Sequence, residues 1–172
     1  MALLKIYTHP DPVLREKCTE IDQFDDELKT LVSNMAETMY ASDGIGLAAP
    51  QVGVTQRLIV LDVSSSEERG RQMLALANPE ITGREGELEW DEGCLSLPDI
   101  NGIVSRAEKI RVDAKNLEGE ELVLEAEGLL AVVLQHEIDH LNGVLFTDHL
   151  SPLKRKLVLR EYKKLQEESE PS

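Results

Sequence analysis

Cysteine is scarce in this 172-residue chain. Cys18 and Cys94 are the whole supply, too few for the disulfide framework that staples small secreted domains, so a reducing compartment is the simplest expectation. Aromatic side chains amount to 3%, which leaves the core to Leu, Val, Ile and Ala. No apolar run approaches the roughly 18 to 20 residues that span a bilayer, and a membrane-spanning helix is excluded. Basic residues are outnumbered, 18 against 33 acidic ones, and the resulting net charge of -15 repels phosphate backbones and argues against DNA as a partner. The opening stretch meets its first charge at Lys5 and then His9-Pro10, which fits neither a signal peptide nor a transit peptide, so the expected location is cytoplasmic.

What is present is enough apolar material, 41% of residues, for one self-sufficient core, and a single domain over 1–172 is expected. Asp25 and Asp26 lead into Leu28, Leu31, Val32, Met35 and Met39 at helical spacing, which predicts an amphipathic helix ending near Tyr40. Gly44 to Gly53 reads as a loop with a short extended stretch, and Ser64 to Gly70 as a polar loop. Strands are predicted over 58–63, 74–78, 87–90, 103–104, 110–114 and 122–126, with a hairpin turn at Asn116 to Glu120. From Leu129 to Asn142 the period is helical again, with Gly143 at the C-terminal cap position. Ser151 and Pro152 suit the start of a last helix reaching about Glu167, so that 151–172 form a C-terminal helix and a short acidic tail. The expected class is α+β: antiparallel or mixed strands packed around a central helix, with an N-terminal and a C-terminal helix.

The central helix carries His136-Glu137-Ile138-Asp139-His140. An H-E-x-x-H segment on a helix puts both imidazoles on one side a turn apart, which is metal-chelating geometry, and sets Glu137 where it reaches a metal-bound water rather than the metal. Leu129, Val132 and Val133 share that side, while Leu130, Leu134, Ile138 and Leu141 form the apolar stripe. A catalytic site of this kind needs three protein donors and an open fourth position. The metzincin pattern holds through Gly143 but has Phe146 where its last His belongs. A thermolysin-like peptidase would take a downstream Glu, and Glu161 stands at a suggestive distance among basic residues that read as a solvated face. Upstream, the segment Glu92-Gly93-Cys94-Leu95-Ser96-Leu97-Pro98 offers a thiolate. From the residues alone the third donor stays open, and a metal-dependent peptidase remains the alternative reading. A purely structural site would be closed by four donors and would have no need of Glu137.

Three segments, Gly44-Ile45-Gly46-Leu47-Ala48-Ala49-Pro50-Gln51, Glu92-Gly93-Cys94-Leu95-Ser96 and Gln135-His136-Glu137-Ile138-Asp139-His140, occur in an order and at spacings that closely resemble the peptide deformylases. The resemblance extends over the Met-rich first helix, Asn78-Pro79, Ser105-Arg106-Ala107 and Leu145-Phe146, and so over nearly the whole chain. It implies a hydrolase that removes formate from the N-formyl-methionyl ends of nascent polypeptides. It implies one divalent metal on Cys94, His136 and His140, ferrous iron in vivo, with Zn2+ or Ni2+ as occupants of purified protein. Glu137 would be the general base and later the acid, and Gln51 and the Leu95 backbone N–H would hold the oxyanion. Ile45, Leu129, Val132 and Val133 would form a narrow slot for an unbranched thioether. Gly44, Gly46 and Gly93 would let an extended peptide pair with the main chain. Glu92, Arg106 and Asp139 would orient the ligands. Pro50 occupies the free position of the glycine motif, and Pro98-Asp99 and Asn101 lie where the family varies, which points to altered contacts at the substrate rim.

Six basic residues, Lys154, Arg155, Lys156, Arg160, Lys163 and Lys164, gather on the last helix, so that 151–172 carry +2 and 1–150 carry -17. The resemblance implies a possible use for this patch, contact with the ribosome near the exit of nascent chains. A monomer is expected, without a membrane partner. Cys18, His9 and His149 show no partner pattern and read as structural or solvent-exposed.

Overall fold

The computed structural model describes residues 2–64, 67, 70 and 72–169. Asp25 accepts the Leu28 N–H at 3.0 Å and opens α1 (Asp26–Ala41), whose Leu28, Val32, Met35 and Met39 are buried at the expected helical interval. A short strand β1 (Gly46–Ala48) runs into a 3-10 turn (Ala49–Val52), followed by β2 (Leu58–Leu61) and β3 (Leu74–Glu85). Next come a hairpin of β4 (Leu88–Cys94) and β5 (Leu97–Arg106), and then β6 (Lys109–Lys115) and β7 (Glu121–Glu127). The chain closes with α2 (Leu129–Leu141), a 3-10 turn (Phe146–His149) and α3 (Pro152–Ser169), where Ser151 Oγ accepts the Lys154 N–H.

Among the described residues, one sheet has the order β1-β2-β3-β6-β7 and the hairpin β4-β5 stands apart from it. Every ladder between these strands is antiparallel, and the parallel contact is an isolated bridge between Thr19 and Gln56. The class is α+β, as expected. Strand β2 shows why its sequence is apolar without interruption. Leu58 and Val60 face α1 with Leu47, Met35 and Met39, while Ile59 and Leu61 face α2 with Leu134, Ile138 and Leu141, so both faces are covered. A third cluster joins Leu97, Ile100 and Val104 of β5 to Leu145, Phe146 and Tyr162, which docks α3 on the hairpin.

Several strands run further than the sequence pattern suggests. β3 continues through Pro79 and Gly83 because the ladder to β6 shifts register between Ala77 and Glu80 and again between Ile81 and Gly83, and bulges tolerate a residue that cannot donate. Asn78 sits in the first shift at φ 52 and uses its amide like a strand partner. It donates to the Ile21 carbonyl at 2.9 Å and accepts the Ile21 N–H at 2.7 Å. β5 spans ten residues rather than two, since Pro98, Asn101 and Gly102 sit on a hairpin with one exposed side and leave no alternating signal. The loop expected over 64–70 lies partly outside the described residues, as does the end of the acidic tail. Among the described residues no helix is long and apolar enough to cross a membrane.

Helix α2 stops at the expected glycine for two reasons. Gly143 has φ +76, and a Cβ there would lie 2.5 Å from the Arg15 carbonyl oxygen, a backbone atom that cannot swing aside. Gly143→Ala should therefore destabilise the protein by more than about 1 kcal/mol, read as a lowered urea midpoint at unchanged slope.

Candidate active site

Cys94 ends β4, where the ladder to β5 shifts register between Gly93 and Cys94 and turns the thiol toward α2. His136 and His140 face it from one side of that helix. Cys94 Sγ lies 3.4 Å from His140 Nε2, the two Nε2 atoms are 3.2 Å apart, and the three donor atoms all fall within 4.8 Å of one another. A tetrahedral ion bound by two imidazoles and a thiolate would separate its nitrogens by about 3.3 Å and sulfur from nitrogen by about 3.6 Å. The edge between the imidazoles and the edge from Cys94 to His140 match those values, and a soft thiolate with two imidazoles suits a first-row divalent metal.

Behind the triad runs a buried network. His136 Nδ1 lies 2.8 Å from Glu92 Oε1, which makes Nδ1 the donor and turns Nε2 toward Cys94 and His140, where a bound metal would take its lone pair. Arg106 grips the same carboxylate through Nε and Nη2 at 2.7 and 2.8 Å, and its Nη1 reaches Asp139 at 2.6 Å. The three residues expected to support the ligands are thus joined. Burial would favour a neutral Glu92, yet the hydrogen bonds from Arg106 and His136 outweigh it and hold the carboxyl down at about 2. Burial opposes charge on His136 as well, but Glu137, Cys94 and Glu92 together raise it well above the ordinary imidazole value. Burial, and then the neighbouring His136 and Arg106, hold His140 well below it.

Glu137 is buried on the cavity side of α2, and burial pushes its carboxyl up to about 7. Among the described residues its Oε1 has no hydrogen-bond partner. The backbone of Gly46 passes so close that a Cβ there would lie 2.5 Å from Glu137 Oε2, which gives this glycine a steric reason beyond peptide pairing. Gly44 likewise makes room for Leu95, whereas a Cβ at Gly93 would meet only ordinary contacts. Gln51 is buried and oriented from both ends. Its Oε1 accepts the Ala48 N–H at 2.9 Å, and its Nε2 donates to Ser96 Oγ at 3.1 Å and faces Cys94 Sγ at 3.6 Å.

These groups open onto a cavity of about 560 Å3. Gly44, Ile45, Gly46, Gln51, Gly93, Leu95, Leu129, Val132, Val133, His136 and Glu137 line it, as does Cys94, while His140 and Asp139 lie behind. Trp90, Leu97 and Ile100 also line it and escaped the sequence reading. The available signal was the period of two along β4, which puts Trp90 on the same strand face as Glu92 and Cys94. A groove of about 660 Å3 along Arg84, Lys109, Arg111 and Glu125 of the large sheet holds none of this chemistry.

Other expectations are revised or excluded. His149 has a partner after all, for its Nε2 lies 2.8 Å from Asp139 Oδ2. Pairing across nine intervening residues and a turn carries no local sequence signal. Phe146, at the metzincin position, is buried and stacks on the His136 ring with centroids 6.4 Å apart. Glu161 is exposed on α3, and among the described residues the metal-ligating cluster is Cys94, His136 and His140.

A Cys-His-His triad with both imidazoles buried, a half-buried thiol on the cavity and a carboxylate of raised pKa beside it define a metal-dependent hydrolase. Residues 3–156 match the family model described as polypeptide deformylase. A peptide deformylase of Alkalilimnicola ehrlichii is 53% identical over 165 residues, 96% of this chain and 92% of that protein. The crystal structure of a peptide deformylase from Legionella pneumophila superposes with a TM-score of 0.91 at 44% identity, covering 98% of this chain and 99% of that one. That of the Thermus thermophilus enzyme gives 0.87 at 45% identity, covering 98% and 100%. The chain belongs to the polypeptide deformylase family and is an enzyme that removes N-formyl groups with a divalent metal.

The Glu92–Arg106 pair sets a stability test. Arg106→Ala strands a buried carboxylate and should cost about 3–5 kcal/mol in denaturant unfolding at pH 7. Because the folded-state value of Glu92 is depressed, its contribution is complete above the ordinary 4.5 and is lost as pH falls toward about 2. The gap between wild type and Arg106→Ala should accordingly narrow over that interval.

Proposed function

We propose that this enzyme deformylates the N-formyl-methionyl ends of nascent chains as one catalytic domain, with Cys94, His136 and His140 holding the metal and Glu137 moving the proton. The observation that carries the assignment is the match of the triad to tetrahedral spacing at the floor of the cavity, with Glu137 Oε1 beside it lacking a partner. A divalent ion held there supplies Lewis acidity, which lowers the pKa of a water toward about 7 and polarises the formyl carbonyl. Glu137 takes the proton of the attacking water and returns it to the departing amine as the C–N bond breaks, leaving formate and a free N-terminus. A carboxyl raised to about 7 holds and releases a proton with equal ease near neutrality. Gln51 Nε2 and the Leu95 backbone N–H receive the charge that develops on the formyl oxygen, and one such donor is worth about 3 kcal/mol of barrier. The preset orientation of the Gln51 amide supports this role.

Ile45, Leu129, Val132 and Val133 form the slot for the methionyl side chain. The following residues add along β1, which is an edge strand of the large sheet. Glu92, Arg106 and Asp139 hold His136 in register. The native ion is Fe2+, and Zn2+ or Ni2+ occupies the same donors in purified protein. The enzyme acts as a cytoplasmic monomer, and α3 brings it to the ribosome. All six basic residues of that helix are exposed, and Tyr162 pins its other face to the body.

Anoxically prepared, iron- or nickel-loaded protein should release formate rapidly from a short N-formyl-methionyl peptide, and Glu137→Ala should slow the release about 100- to 10,000-fold at equal metal content. Metal-loaded protein that released no formate and cut unformylated peptides instead would belong with the peptidases. Reversing Lys156, Arg160 and Lys164 to Glu should abolish salt-sensitive co-sedimentation with ribosomes while leaving peptide deformylation in place. Undiminished sedimentation would remove α3 from that role.

A further inference from the structure

The hydrogen-bonded chain behind the metal triad continues past Asp139 to the surface. His149 Nε2 lies 2.8 Å from Asp139 Oδ2 and 3.4 Å from Arg106 Nη1, while Arg106 Nη1 lies 2.6 Å from the same oxygen. The Asp139 carboxylate only accepts, so a His149 Nε2 that donates to it at 2.8 Å has no lone pair left for the guanidinium at 3.4 Å. Both converge as donors on one carboxylate oxygen, which requires a proton on His149 Nε2. Exposure falls steadily along the path, from 36% for the His149 side chain and 25% for Asp139 to 4% for both Arg106 and Glu92.

The backbone that carries His149 is held on the same side of the protein. His149 is the last residue of the turn Phe146–His149, and Phe146 at its start stacks on the ring of His136. Asp148 between them accepts the Leu145 N–H and pairs with Arg15, so the imidazole is delivered from a pinned turn rather than a free loop. Asp139, by contrast, is partly open to water, and one donor alone leaves its carboxylate free to rotate. With two donors on Oδ2 it is fixed, Arg106 keeps Nε and Nη2 on Glu92, and Glu92 keeps the Nδ1 proton of His136.

We propose that His149 is a positioning residue for the metal centre, donating through Nε2 to Asp139 and thereby holding Arg106, Glu92 and the His136 lone pair in register. The inference rests on the reading that Cys94, His136 and His140 hold the metal. His149 touches neither substrate nor ion, so its signature is how firmly the ion is kept.

The test is the rate at which Co2+-loaded protein surrenders its ion to excess chelator, followed by the d–d absorption of the bound cobalt. His149→Phe, which keeps a flat ring but no donor, should release Co2+ about threefold to tenfold faster than wild type, less than the 10- to 100-fold typical of losing a group bonded directly to a ligand. His149→Gln, which restores a donor, should return to within about twofold of wild type. In an Asp139→Asn background His149→Phe should add nothing further. Equal release from wild type and His149→Phe would overturn the proposal, and so would equally fast release from the Phe and Gln variants, which would make the residue a space filler. Wild-type protein that retains no Co2+ would instead refute the metal assignment, and this proposal with it.

Discussion

Two imidazoles, a carboxylate and an amide are buried on a single helix at the centre of a small protein, and the surrounding structure answers the cost of putting them there. Unpaired, such groups would be expensive, because a low-dielectric interior penalises both charge and unsatisfied hydrogen bonds. Gln135 is satisfied by the backbone of Ala107, accepting its N–H at 3.0 Å and donating to its carbonyl at 2.8 Å. His136 is answered by Glu92, and Glu92 by the guanidinium of Arg106. Among the described residues of this helix Glu137 Oε1 and His140 Nδ1 remain without a partner, and the donor atoms of the triad converge beside the cavity.

The same economy shapes the segments around α2. The Ala49–Val52 turn exists to present Gln51, whose amide is fixed before any substrate arrives. The N-terminal segment straps the site from outside. The Tyr7 N–H donates to the Gln51 backbone carbonyl at 2.7 Å, the His9 N–H to the Ser96 backbone carbonyl at 2.8 Å, and the Tyr162 hydroxyl of α3 to the His9 backbone carbonyl at 2.8 Å. Residues far apart in sequence thus hold the Gln51 side of the site, while the hairpin β4-β5 supplies the Cys94 thiol and the outer wall. Preorganisation of this kind is what an electrostatic catalyst requires, since donors that must first reorient give back part of what they stabilise.

Much of this was legible in the sequence. Helices α1, α2 and α3 announced themselves through apolar period and caps, and Gly143 stands where the C-terminal cap was expected. The three motif segments named half of the residues that line the cavity, Gln51, Cys94, His136 and Glu137 among them, because residues at short spacing on a helix or strand have their relative placement set by local geometry. The long strands were less legible. β3 and β5 carry Pro79, Gly83, Pro98 and Gly102, which read locally as breaks, and only pairing with β6 and β4 makes strands of them. Trp90 and His149 were missed for related reasons, the first being one exposed residue in an unextended strand and the second bonding to Asp139 across a turn.

By itself the sequence determined the chemistry on offer. It set an H-E-x-x-H helix, a cysteine in a small-residue turn, a glutamine after a glycine-rich run and a basic helix on an acidic body, each a product of residue type and local spacing. Only the tertiary structure decided which of these meet. Residue type and spacing alone leave the third donor open between Cys94 and Glu161, whereas in the fold β4 carries the Cys94 thiol to 3.4 Å from His140 and Glu161 is exposed on α3. The requirement for Gly46 likewise emerged only when its backbone met the Glu137 carboxylate. Contact between distant segments depends on how buried surfaces pack, and that information is spread over the whole chain rather than written in any one motif.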